Sequence, residues 1–210
     1  MIEKNIEVEM MGGINTNKFN SLKDFFDKNA KFKKKKERLT LMYFRDKIPL
    51  DIKEIKDEPV DLRFRVTNKQ PEVVLKYGIF SGENARKEIT LPLKPEEVEN
   101  QIEFLKLLGW YVVVVYAVKT YVYDYNNIEF ALVDIKDYGY NFEAEIMCVE
   151  GEIENSKESL KKELDILGLK PFDSEGLDNQ CNAINNNKNL QFNLNDTEFR
   201  LIKKRFKEFF

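Results

Sequence analysis

The sequence predicts an α+β fold built on a many-stranded antiparallel sheet, and three observations predict it. Up to residue 150 the chain falls into short segments in which apolar and charged residues alternate with a period of two, as in strands with two unlike faces. Turn-forming clusters separate several of them: Asp57-Glu58-Pro59, Ser81-Gly82-Glu83-Asn84, Tyr125-Asn126-Asn127 and Tyr138-Gly139-Tyr140. Helical periodicity interrupts in only a few places. The sheet is therefore either open and covered by helices or closed into a barrel.

The strands are expected over Asn5–Met11, Arg38–Arg45, Ile48–Ile55, Val60–Val66 and Glu72–Tyr77, and then over Arg86–Leu93, Tyr111–Tyr125, Ile128–Ile135 and Asn141–Val149. Phe19, Leu22, Phe26 and Ala30 mark a first helix, spaced to share one face. Val98, Ile102, Leu105 and Leu108 mark a second, opened by Pro95 and closed at Gly109. Leu160, Leu164 and Leu167 mark a third, with Ser156 as its expected N-cap and Gly168 beyond its end. A fourth is expected over Asp196–Phe209, with Phe199, Ile202, Phe206 and Phe209 making an apolar stripe suited to docking on the sheet. Asn179–Asn195 is rich in Asn without a clear period and reads as a surface loop. Lys31–Arg38 (KFKKKKER) reads as a solvated helix end and loop rather than a nucleic-acid patch.

A chain of 210 residues supports one sizeable core or at most two small ones, and a single domain over residues 1–210 is expected. With 42% hydrophobic and 34% charged residues and a net charge of −3, the composition is globular and offers no global basic field for nucleic acid. There are no histidines, which excludes Ser-His-Asp and Cys-His catalysis, HExxH zinc sites and imidazole acid–base chemistry. Cys148 and Cys181 form no CxxC and suggest free thiols in a reducing interior. The N-terminal MIEKNIEVEMMGG carries acidic residues where a signal sequence would be apolar, and the apolar run Trp110–Val118 is too short to span a bilayer. A cytoplasmic protein, monomer or homodimer, is the expectation. An enzyme of this composition must work with carboxylates, lysines, arginines and tyrosines, with or without a hard metal.

The charges sit at strand spacing. Glu7 and Glu9, Arg63 and Arg65, Arg86 and Glu88, and Glu143 and Glu145 are each two apart and so share a face; Lys119 has Tyr121 after it, and Lys76 ends the run Val73-Val74-Leu75. These are either solvated faces of one-sided sheets or a barrel lumen filled with both signs. The strand around Lys119 is apolar on both sides, as where both faces are covered. Clustered Arg and Lys suit a multiply charged anion, and clustered carboxylates suit hard divalent cations. Both together point to a polyphosphate with Mg²⁺ or Mn²⁺.

The same residues resemble the CYTH superfamily, the triphosphate tunnel metalloenzymes. The family's ExExK is matched by Glu7-Val8-Glu9-Met10-Met11 and its LRxR by Leu62-Arg63-Phe64-Arg65. The following lysine is matched by Lys76, RxE by Arg86-Lys87-Glu88 and KxR by Lys119-Thr120-Tyr121. Asp134, Gly139 and Glu143-Ala144-Glu145 look like the closing Asp, the Gly turn and the final ExE. The resemblance covers about residues 5–170, leaving 171–210 as an Asn-rich loop and a C-terminal amphipathic helix outside it.

The resemblance implies a closed eight-stranded antiparallel β-barrel with flanking helices, its tunnel holding the triphosphate group. It implies that Arg63, Arg65, Lys76, Arg86, Lys119 and Tyr121 bind phosphate oxygens. Glu7, Glu9, Asp134, Glu143 and Glu145 would hold Mg²⁺ or Mn²⁺, with Glu7, Glu9, Glu143 and Glu145 as the catalytic set. The implied activity is hydrolysis of inorganic tripolyphosphate or thiamine triphosphate. The alternatives are a class IV adenylyl cyclase making cyclic AMP and pyrophosphate from ATP, and a nucleotide-binding module without turnover. Two positions depart from the pattern: Met11 replaces the lysine of ExExK and Tyr121 the arginine of KxR. Each charged hydrogen bond lost costs roughly 1.5–3 kcal/mol, so a weakened grip on a bare triphosphate is expected unless Lys18 or another lysine reaches in.

Overall fold

Alternating strand residues and a few capped helices give nine antiparallel strands and five α-helices in the computed structural model, which describes residues 6–49, 51, 54, 59–78, 87–196 and 199–210. The strands are β1 (Ile6–Ile14), β2 (Lys31–Phe44), β3 (Val60–Thr67), β4 (Gln70–Tyr77), β5 (Lys87–Pro92), β6 (Val112–Tyr125), β7 (Ile128–Ile135), β8 (Gly139–Cys148) and the short β9 (Gln191–Asn193). The helices are α1 (Thr16–Asn29), α2 (Val98–Leu107), α3 (Ile153–Ile166), α4 (Ser174–Asn185) and α5 (Phe199–Arg205). The strand order is β1-β8-β7-β6-β2-β3-β4-β5, with β9 on β6. Among the described residues no ladder joins its two ends, β1 and β5, so the expected closed eight-stranded barrel is not formed by these strands. The α+β class stands. The chain folds as two compact units, Met1–Lys36 with Val118–Leu177, and Glu37–Ala117 with Asp178–Phe210; the long strands β2 and β6 run through both.

In the first unit β1, β8, β7 and the second half of β6 pair in register: Val8 opposite Ile146, Phe130 opposite Ala144, and Tyr123 opposite Phe130. One face buries Val8, Tyr123, Phe130, Leu132, Phe142 and Ala144 against Phe19, Leu22 and Phe26 of α1 and Leu160 and Leu164 of α3. Because side chains alternate along a strand, Glu9, Glu129, Glu143 and Glu145 belong to the other face. Asn15 caps α1 by accepting from the Lys18 N–H at 2.9 Å. Glu152, not Ser156, is the N-cap residue of α3; Ser156 lies inside the helix and is buried. Gly168 ends that helix in the left-handed region (φ 61°), which glycine, lacking a Cβ, enters without strain.

In the second unit Leu39, Leu41, Phe64, Val66 and Val73 share a face, fixed by the registers Leu39–Val66, Leu41–Phe64 and Phe64–Val73. That face packs on Val98, Ile102 and Leu105 of α2, on Ile202 of α5, and on Phe206 and Phe209 beyond it. The C-terminal amphipathic segment thus docks on its sheet, although its helix is shorter than expected and ends in a 3₁₀ turn, Lys207–Phe209.

Two stretches differ from expectation. The lysine-rich run continues as strand from Lys31: α1 stops at Asn29, Ala30 is already extended, and Lys33 pairs with Glu129 of β7. The Asn-rich stretch contains most of α4 and β9. Leu190, fully buried, anchors it, with Val115 N–H donating to Leu190 O at 2.7 Å and β9 pairing with Val112–Val114. Of the strand expected over Ile48–Ile55, residues 48, 49, 51 and 54 are described and none is strand, and the others lie outside the described residues. No helix among the described residues is long and apolar enough to cross a membrane.

Candidate functional site

The alternation that buries Phe64 and Val66 in the second unit places Arg63 and Arg65 on its opposite face. There Arg65 stands across from Thr40 on β2 and Glu72 on β4, Arg63 across from Met42 and Val74, and Lys76 across from Asp61 and Glu88. Arg63, Arg65 and Lys76, three of the expected phosphate ligands, are thereby brought to one face, joined by Arg38. The charges are not compensated equally. Arg63 donates from Nε and a terminal nitrogen to both oxygens of Asp61, at 2.7 and 2.6 Å. Burial works against its charge, but the Asp61 hydrogen bonds and nearby groups raise its pKa. Lys76 bridges to Glu88 at 2.9 Å, holding that carboxyl below its ordinary range.

Arg65 is different. It is only 7% exposed, its closest ion pair is a long 3.9 Å to Glu88, and burial followed by Arg63 and Arg38 lowers its pKa. Its Nε has no hydrogen-bond partner among the described residues, and neither does the Oγ1 of Thr40 opposite it. Buried polar groups are normally satisfied, and an orphan donor costs about 1–3 kcal/mol. A buried guanidinium with open donor capacity, beside other cations and a hydroxyl, suits an oxygen-rich anion. Thr40, Arg38 and Asp61 were not singled out in the sequence. Asp61 was legible, lying two residues before Arg63 on the same face; Thr40 needed the β2–β3 register.

The carboxylates gather in the first unit. Glu9, Glu145, Glu129 and Asp124 stand directly opposite one another in a row across β1, β8, β7 and β6. Glu143 is one row along, between Met11 and Ala131, and Glu7 is opposite Met147 by strand position. Glu129 and Asp124 are additions to the expected set. Lys33 pairs with Glu129, which together with Asp124 and Glu145 raises the lysine's pKa. Among the described residues no group of three acidic or thiol side chains is placed to hold a metal ion. The donor chemistry nevertheless suits a hard cation, since like charges directly opposed weaken a ladder.

Lys119, Tyr121 and Asp134 lie on the helix-covered face, away from Glu9, Glu143 and Glu145. Lys119 is opposite Asp134 and Tyr121 opposite Leu132, which is buried in the core beside α1. The Tyr121 ring lies edge-on to Phe19, with Lys23 over it at 5.2 Å. Burial raises the pKa of Asp134, against the pull of Lys119. Lys18 donates to Leu167 O at the end of α3 at 2.5 Å, rather than standing in for the lysine absent at Met11. Arg86 lies outside the described residues.

A cavity of about 590 Å³ adjoins the basic face within the second unit. Its wall takes Met42, Asp61, Arg63 and Tyr116 from the strands, Trp110 from the turn before β6, and Cys181, Ile184 and Asn185 from α4. Arg45 covers the Trp110 ring at 4.7 Å.

Fold and face together define an antiparallel α+β protein with a basic strand face in its second unit. No family model and no curated protein matches the chain. Solved structures do match in fold. A protein from Pyrococcus horikoshii OT3 superposes with a TM-score of 0.55 at 22% identity, over 80% of this chain and 93% of that one. A "putative adenylate cyclase" from Bacillus halodurans gives 0.54 at 14%, over 82% and 95%, and one from Vibrio parahaemolyticus gives 0.51 at 15%, over 80% and 91%. At these identities the likeness is one of fold.

Proposed function

We propose that the protein is a CYTH-type enzyme that binds a triphosphate on the Arg63–Arg65–Lys76 face and hydrolyses it with a divalent metal. The observation that carries this is the buried Arg65 guanidinium, its Nε unpartnered and set opposite the unpartnered Thr40 hydroxyl. Arg65 takes a phosphate oxygen through that donor, and Arg63, held in one orientation by the Asp61 fork, presents its remaining donors to another. Lys76 adds a point charge. Pre-positioned cations of this kind stabilise charge spread over phosphoryl oxygens, which is most of what phosphoryl transfer requires of a protein. Glu9, Glu143 and Glu145, with Glu7, would be the ligands of Mg²⁺ or Mn²⁺ in the first unit, a cation for which one or two carboxylates and several waters make up the shell. When bound, the metal supplies charge neutralisation at the leaving group.

A second reading, an adenylyl cyclase of class IV, is favoured by the aromatic-walled cavity beside Arg63 and by the neighbours that bear a cyclase description. One panel separates them: purified protein incubated with tripolyphosphate, thiamine triphosphate and ATP under Mg²⁺ and Mn²⁺, following phosphate, pyrophosphate and cyclic AMP. Metal-dependent phosphate release supports the hydrolase, and cyclic AMP with pyrophosphate supports the cyclase. Binding without turnover would support a binding module. Neither binding nor turnover would sink the anion-face proposal.

A further inference from the structure

The cavity of about 590 Å³ lies in the range of small-molecule sites, roughly 300–1,000 Å³, which are largely apolar with a few polar groups that fix orientation. Met42, Phe44, Trp110, Tyr116 and Ile184 supply its apolar wall. The charges in that wall cancel. Three cations, Arg45, Lys47 and Arg63, stand with three carboxylates, Asp46, Glu54 and Asp61. Arg63 is forked to both oxygens of Asp61, and Lys47 bridges to Glu54 at 3.8 Å. Arg45 lies over the Trp110 ring at 4.7 Å, and the Tyr111 hydroxyl donates to Asp46 at 3.4 Å. A charged ligand would give up its hydration here without a net opposite charge to replace it.

One polar group in the wall is unsatisfied. Asn185, the last residue of α4, is only 5% exposed, and its side-chain amide makes no hydrogen bond with any described residue. Its backbone carbonyl is taken by Gln191 Nε2 at 2.7 Å, so the side chain alone is left over. A buried amide is normally paired, and this one has an acceptor oxygen and a donor NH₂ group to offer.

We infer that the cavity is a ligand site of its own, separate from the basic face, for an uncharged and mainly apolar molecule that carries an amide or similar donor–acceptor group. Asn185 pairs with that group, and the apolar body lies against Trp110, Tyr116 and Ile184. Burial of apolar area drives binding, ring contacts add to it, and Asn185 sets the orientation. Arg65, Lys76 and Thr40, which define the basic face, are not in this wall. The assignment therefore does not depend on what the basic face binds.

The test uses the full chain and three probes of nearly one shape: naphthamide, which is neutral, naphthoate, which is anionic, and naphthamidine, which is cationic. Two residues report occupancy. Trp110 is the sole tryptophan in the chain, and Cys181 is partly exposed in the wall while Cys148 is buried, so emission and the rate of maleimide labelling both read this site. Naphthamide is expected to bind about tenfold more tightly than either charged probe, whose desolvation goes uncompensated, and to shift Trp110 emission and slow Cys181 labelling. Asn185→Leu should weaken naphthamide by about tenfold and leave tripolyphosphate affinity within about threefold. Should that variant not fold, the probe ranking and the labelling of the unmodified chain decide. Equal binding of the three probes, binding of none, or a folded Asn185→Leu protein with unchanged naphthamide affinity would overturn the inference. So would ATP that competes with naphthamide and slows Cys181 labelling, because the cavity would then belong to the substrate. Naphthamide bound as expected with no binding of tripolyphosphate would overturn the anion face and leave this site standing.

Discussion

Replacement of Arg65 by Met separates what this side chain costs the fold from what it contributes to binding. Arg65 is buried, only 7% exposed as a residue, and its Nε lacks a partner among the described residues. Arg38 and Arg63 oppose its charge. Against this stands the attraction of Glu88 at 3.9 Å, whose side chain is 42% exposed, so solvent screens it to well under about 1 kcal/mol. An unsatisfied buried donor costs about 1–3 kcal/mol, and Met fills similar volume without it. The Arg65→Met protein is therefore expected to be as stable as the parent or more stable by about 1–2 kcal/mol, measured by urea unfolding at neutral pH. Its triphosphate affinity should fall, because one charged hydrogen bond is worth roughly 1.5–3 kcal/mol, or about 10- to 150-fold. Isothermal titration at low salt reads this directly, and Arg65→Lys should recover part of the affinity but not the bidentate geometry. A variant destabilised by more than about 1 kcal/mol, with affinity unchanged, would refute the reasoning: Arg65 would then be a structural residue whose partners hold the sheet together.

Three further outcomes are expected. Lys119→Met should leave triphosphate affinity within about threefold of the parent in the same titration, well short of the tenfold that marks 1.4 kcal/mol, because Lys119 faces the helix-covered side opposite Asp134. Glu145→Gln should abolish most metal-dependent turnover yet leave metal-free stability unchanged or raised by about 0.2–1 kcal/mol, since it relieves a like charge directly opposite both Glu9 and Glu129. Asp27 has its pKa lowered by hydrogen bonds from Lys23 and then Tyr123, so its contribution to stability is fully present above the unfolded value of 3.8 and is lost as pH falls through the lower folded value. Asp27→Asn should thus lower stability slightly at neutral pH, by well under about 1 kcal/mol for so exposed a pair, with the two unfolding curves converging in acid.

The basic face was legible in the sequence because Asp61, Arg63 and Arg65 alternate with Leu62, Phe64 and Val66, and a strict period of two fixes which residues share a face. The phase of β6 was not. Its run Val112–Val115 is apolar on both sides, so nothing local reveals that the face Lys119 and Tyr121 share with Val113, Val115 and Ala117 is the helix-covered one. Asp134 followed Lys119 to that side because the two are paired across the strands. Helix α4 was hidden by its asparagines, which favour turns when read locally and are overridden here by burial of Leu190 and by Gln191 Nε2 donating to Asn185 O at 2.7 Å. The cavity was beyond sequence reading altogether, since its wall brings Met42, Trp110 and Ile184 together from three distant stretches.

The most direct test is the electron density of the protein crystallised with a slowly hydrolysed triphosphate and Mg²⁺. Phosphate oxygens are expected about 2.7–2.9 Å from the Nε of Arg65, the distance of a charge-assisted hydrogen bond, and close to Thr40 Oγ1 and the outer donors of Arg63. A triphosphate bound elsewhere, with the Arg65 Nε and Thr40 hydroxyl still unpartnered, would contradict the anion face at its root.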